Sequence, residues 1–143
     1  MDTTNYANVG EINDVPSFHD AEIVRIEHFS DDRELVVSFK RVSGEAGVFR
    51  FTGVIAQRIV DFSEQNVVSR LLISPRYRFS SDEVRTWVQW VNSRDDAKAA
   101  PIDGERADQY ARDFVTGRGA LFILEPSCGA EMAVLCESIW LKS

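Results

Sequence analysis

Two cysteines and two histidines are few for a chain of 143 residues, and the shortage excludes several chemistries. Cys128 and Cys136 stand eight residues apart, which is neither a C-x-x-C pair nor a zinc-ligand spacing. They read as structural thiols, with Cys128, in a turn, the more exposed and the more reactive. A metal-dependent His–Asp phosphohydrolase would need imidazoles beyond His19 and His28, so no metal or other cofactor is expected. Nucleophile and phosphate motifs are missing too: there is no G-x-S-x-G elbow, no G-x-x-x-x-G-K-[ST] and no G-x-G-x-x-G. Gly117-Arg118-Gly119 matches a phosphate loop only in composition, and a helix stop before a strand accounts for it.

Long apolar runs are also lacking. The longest candidate, Ala120–Leu124, has the size of a buried strand, far short of the roughly 20 residues that cross a bilayer. The opening MDTTNYANVG has neither the basic nor the apolar region of a secretion signal. With so few cysteines, a reduced, cytoplasmic protein without membrane association is the expectation. Basic residues are in deficit, 16 against 23 acidic, for a net charge of −7. That balance disfavours nucleic acid and anionic lipid, which need a basic surface. It suits a basic protein partner, and it serves solubility equally well.

What is present is an ordinary globular composition, 44% hydrophobic and 27% charged. One domain of this length buries roughly 68–70% of its unfolded surface, enough to hold a core without metal or disulfide. Residues 1–17 are polar and aperiodic and read as a loose lead-in; residues 18–143 form the domain. The stretch Ala21–Phe62 organises it. AEIVRIEHF, ELVVSFKRV and GVFRFTGVI read as successive strands joined by short turns at Ser30–Arg33 and Ser43–Gly47. Leu35, Val37 and Phe39 share one face, and Phe49 and Phe51 alternate with polar neighbours, as in an antiparallel meander with one wet face.

Gly53–Ile73 is ambiguous: a bent strand with a bulge at Gly53, then a strand or a short helix ended by Pro75. Ser81–Asn92 reads as a helix capped by Ser81, with Val84, Trp87, Val88 and Val91 as its apolar stripe and Trp87 buried. After the loop Ser93–Gly104, a second helix spans Glu105–Thr116, with Ala107, Tyr110, Ala111, Phe114 and Val115 facing inward and Gly117 ending it. A hairpin turning at Pro126–Gly129 follows, and Ile139 and Leu141 close the chain. The fold class is therefore α+β: a mainly antiparallel sheet of about five to seven strands packed by two amphipathic helices.

Candidate functional residues fall in three groups. His19 and Asp20, with His28, are the material for a ligand or metal pocket or a small hydrolase, although neighbours on an extended chain point to opposite sides. Arg70, Arg76, Tyr77 and Arg78 make a basic, aromatic cluster of the kind that stacks nucleic acid, against which the acidic total argues. Trp90, beside the helical stripe, and Trp140 are anchors for a protein interface. Asp31, Asp32, Asp95 and Asp96 sit in a turn and a loop, where they are exposed to steer a basic partner. A structural homo-oligomer joined through a sheet edge is a further alternative.

FHDAEI at Phe18–Ile23 and GAEMAVLCESIWL at Gly129–Leu141 resemble small uncharacterised bacterial α+β proteins, some of them grouped with predicted immunity proteins of polymorphic toxin systems. The resemblance implies a non-enzymatic cytoplasmic domain that neutralises a cognate toxin by direct binding. It carries no catalytic or toxin-contacting positions onto this chain.

Overall fold

Alternating apolar positions build nine strands in the computed structural model, which describes residues 5–143. In chain order they are β1 (Ala7–Asn8), β2 (Glu22–Phe29), β3 (Glu34–Lys40), β4 (Ala46–Thr52), β5 (Ala56–Val60), β6 (Val67–Ile73), β7 (Ala120–Cys128), β8 (Glu131–Cys136) and β9 (Ser138–Lys142). Helices α1 (Ser81–Val91) and α2 (Gly104–Thr116) lie between β6 and β7. The strands form one antiparallel sheet in the order β1-β9-β4-β3-β2-β6-β7-β8-β5. The α+β class and the two helices are as expected, but the sheet exceeds five to seven strands. Its surplus comes from short pieces: β1 lies in the polar lead-in, and β9 is parted from β8 by Glu137 alone.

That single-residue gap bends the whole sheet. β8 pairs with β7 and β5, while β9 pairs with β4 and β1. One nearly continuous strand can serve both halves only if the sheet curls until β4 meets β8, and it does. The inner face thereby becomes a closed interior. Phe18, Phe39, Phe49, Phe51 and Phe122 fill it with ring centroids 4.8 to 6.3 Å apart, a geometry that adds about 0.5–1.5 kcal/mol per pair beyond area burial. Val134, Cys136, Ile139 and Leu141 line the bent strand's inner side.

The outer face of β6–β8 carries a second core. Leu72, Leu121, Ile123, Ala133 and Leu135 pack against Val84, Val88 and Val91 of α1 and against Ala107 and Phe114 of α2. β7 and β8 are thus apolar on both faces, as covered strands are. Ser80, and not Ser81, caps α1: its Oγ accepts from the Glu83 N–H at 3.1 Å, and Glu83 Oε1 accepts from the Ser80 N–H at 2.9 Å. Ser81 is the first helical residue, and its hydroxyl donates to Asp108 of α2. Trp87 packs on this core but is only half-buried, where full burial is expected, and Val115 is 45% exposed and so does not complete the α2 stripe.

Gly53 (φ +61°) ends β4 instead of bulging it, and β5 crosses to the far edge of the sheet. The lead-in is docked from Ala7 onward: Ala7 and Asn8 pair with Leu141 and Trp140, and Val9 is buried. Met1–Thr4, the start of that lead-in, lie outside the described residues. Where a turn at Pro126–Gly129 is expected, β7 runs on to Cys128, and Gly129–Ala130 makes the turn. Buried Asn66 holds it. Its Oδ1 accepts from the Ser63 N–H (2.9 Å) and the Ala130 N–H (3.0 Å), and its Nδ2 donates to Ser63 O (2.7 Å). Gly129 has φ +78°, and a Cβ there would lie 2.4 Å from Gln65 O. Asn66→Ala and Gly129→Ala are each expected to cost about 2–4 kcal/mol, through stranded buried N–H groups and a forced left-handed backbone respectively. Urea unfolding should show the midpoint fall at unchanged slope.

Candidate functional site

The three residues read as pocket material do not converge. Asp20 adopts φ +64°, so the chain is not extended there, and the neighbouring side chains meet after all: His19 Nδ1 lies 3.3 Å from Asp20 Oδ2, both exposed. His28 sits at the opposite end of β2, about 20 Å along a strand, beside the hairpin to β3. Among the described residues, no group of three or more His, Cys, Asp or Glu side chains is placed to hold a metal ion. Cys136 is buried, which pushes its thiol up to about 12, while Cys128 is exposed.

His19 does rim a groove of about 460 Å³, which lies between residues 15–19 and β6. Phe18, Leu71 and Ile73 line its apolar side, and Arg70, Arg76 and Tyr77 its polar side. The basic cluster therefore splits: three members share this groove, and Arg78 lies beside Phe79 and α2. Arg70 pairs with Glu125. Arg76 donates Nε to Val9 O at 3.0 Å and Nη1 to Asn13 O at 3.5 Å. Those carbonyls position its guanidinium without neutralising it.

A second concavity, also of about 460 Å³, opens between α1, the loop after it and β5. The α1 stripe leaves Trp90 on the helix's flank, where Arg58 of β5 reaches it. The Arg58 guanidinium stands 4.5 Å from the indole centroid, donates to Trp90 O at 3.2 Å and pairs with Asp95 Oδ1 at 2.8 Å. Trp87 meets Trp90 edge to face at 5.7 Å. The loop is pinned by Ser93, whose Oγ donates to Gln89 O (2.7 Å) and accepts from the Ala99 N–H (2.8 Å). Asp95 remains 88% exposed despite its partner.

β5 is the last strand of the sheet, so one side of its backbone faces no strand among the described residues. Exposed Ile55 (60%) and Phe62 (61%) flank it. Val60 pairs with Glu131, whose carboxyl is raised above its ordinary value first by burial and then by Asp61 and Glu125; Arg58 pulls the other way without prevailing. The structure thus joins Trp90 and Asp95 to Arg58, a residue without any sequence signal, and sets Asp61 just past β5 and Glu131 on the neighbouring β8. Asp96 lies in the same loop as Asp95, whereas Asp31 and Asp32 form the separate turn between β2 and β3. Trp140, half-buried on β9, donates its indole N–H to Thr52 Oγ1 at 3.4 Å.

No protein-family model, curated protein or solved structure matches the chain. No helix among the described residues is long and apolar enough to cross a membrane.

Because the folded carboxyl of Glu131 titrates above its unfolded value, its contribution to stability is fully present below the unfolded value. It is lost as pH rises through the folded one. Glu131→Gln is therefore expected to stabilise the protein at pH about 7 and to lose that advantage near pH 4. Urea midpoints at the two pH values read the difference.

Proposed function

We propose that this chain is a protein-binding module that takes a basic protein partner across the open edge of β5, a role consistent with the resemblance of Phe18–Ile23 and Gly129–Leu141 to immunity proteins. The observation that carries this reading is a terminal strand that is unpaired on one side and flanked by exposed Ile55 and Phe62, with Asp61, Asp95 and Glu131 around it. Each component has a physical role. The strand offers backbone donors and acceptors to an incoming segment. Ile55, Phe62 and the Trp87–Trp90 pair supply apolar anchors, the last held rigid by Arg58. Asp61 and Glu131 repel one another while Asp95 is already paired with Arg58, and the chain's net charge of −7 favours encounter with a basic surface. Inhibition of such a partner is steric, by occlusion, with no chemical step.

The test is affinity capture from the source organism's lysate at low and moderate salt, using wild-type protein and the double variant Ile55→Lys/Phe62→Lys. Both positions are exposed, and lysine at a sheet edge is a natural guard against pairing. A basic protein retained by wild type, lost with the variant and released by salt is the expected result. Equal retention by both proteins overturns the reading. Concentration-dependent dimerisation abolished by the same substitutions also overturns it, assigning the edge to a second copy of the chain.

A further inference from the structure

β2 and β6 begin as neighbours and then part. Glu22 pairs with Val67, the Val68 N–H donates to Ala21 O and the Asp20 N–H donates to Val68 O, both at 2.9 Å. Beyond that point, no backbone hydrogen bond joins residues 15–19 to β6 among the described residues. Within Ser69–Ile73, residues Arg70–Ile73 consequently have a ladder partner on one side only, β7, with Ser69 at a register shift and the Ile73 carbonyl already accepting from the Tyr77 N–H at 2.9 Å. The gap is the groove of about 460 Å³ already described, a size typical of ligand sites. At about 3.3 Å per residue, the unpartnered stretch of β6 is about 13 Å long, the length of a short extended peptide.

Chemistry is unequal along the gap. Phe18, Leu71 and Ile73 give it an apolar side. Arg70, Arg76 and His19 stand on its rim. Arg76 is held by two backbone carbonyls and pairs with no carboxylate among the described residues, so its positive charge is fixed in place. Arg70 commits its Nε to Glu125, leaving its Nη groups to other acceptors. The lining holds two arginines and no carboxylate, but Glu125 pairs with Arg70 and Glu83 accepts from the Tyr77 hydroxyl at its margin, so Arg76 supplies the positive charge not already matched among the described residues.

The geometry points to a binding site for an extended peptide that ends in a free carboxylate. The peptide would add as a strand beside Ser69–Ile73, seat alternate apolar side chains against Phe18 and Leu71, and place its terminal carboxylate on Arg70 and Arg76. This groove is separate from the β5 edge, and neither reading rests on the other.

The probe is an N-acetylated tetrapeptide alternating threonine and valine, compared as free acid and as C-terminal amide. Binding is read by titration calorimetry and by hydrogen exchange of the full chain. The free acid is expected to bind about tenfold or more tighter than the amide, the worth of a charge-assisted contact, and to protect amides within Ser69–Ile73. Arg70→Ala, at an exposed position, should erase the preference for the acid. Arg76→Lys should weaken it while keeping a charge. Trp90→Ala should leave binding unchanged, which separates this site from the β5 edge. Absence of binding at about 1 mM peptide, equal affinity for acid and amide, or protection elsewhere overturns the inference. Binding of decanoate without binding of peptide also overturns it, assigning the groove to a fatty acid.

Discussion

One residue stands between β8 and β9, and the sheet is shaped by that fact. The Glu137 N–H is shared by the carbonyls of Thr52 and Gly53, each at 3.1 Å, which fixes the bend where the strand leaves one half of the sheet for the other. A strand that pairs with β7 at its start and β4 at its end forces the strands between to wrap around. The wrapped face has to be filled, and five phenylalanines fill it. Their volume explains why Gly47 lies against Phe18, where an added Cβ would come within 2.5 Å of the ring. The helices cover the outer side of β6–β8, with α1 reaching β5 as well, since the inner side is already occupied.

Both proposed surfaces arise where this wrapping runs out of hydrogen-bonded neighbours. β5 joins β8 from outside the wrapped circuit and so has one flank without a strand among the described residues. β2 peels away from β6 because Asp20 takes a left-handed conformation just before the strand starts, turning the preceding residues off the ladder. An antiparallel sheet satisfies its backbone by pairing, and each interruption leaves polar groups and pleated apolar surface that another chain can use. Both interruptions carry ion pairs, Arg58–Asp95 beside β5 and Arg70–Glu125 beside β6, with Asp61 and Glu131 added near the first and Arg76 near the second.

The elements legible in the sequence are those whose own residues determine them. In the β2–β4 meander alternation is only partial in β2 and cleaner in the strands after it, and both helices announce themselves through stripes, acidic first turns and Gly117. Even there the cap slipped by one residue, because Ser80 and Ser81 are equally suitable and Glu83 decides between them by sitting three residues after Ser80. The illegible parts are long-range. Nothing in AQRIV says that it will cross the molecule to pair with β8, and nothing in Ala7–Asn8 announces pairing with β9. Asn66 reads as one more polar loop residue until its amide is seen holding two turns at once. Of the candidate residues, Trp90 and Asp95 come together through Arg58. His19 and Asp20 meet only because the backbone between them is left-handed, and His28 is isolated by the length of its own strand.

The two thiols differ in a way that turns the molecule into its own gauge. Cys128 stands in solvent at the end of β7, and Cys136 lies inside the wrapped sheet one residue before the bend. An alkylating reagent meets the first directly from solvent. It reaches the second only in the fraction of molecules whose interior has opened and let that thiol ionise. The ratio of the two rates is therefore an internal clock for excursions of the bent strand. It is read without any added label, in the unaltered chain, under conditions where the folded state dominates.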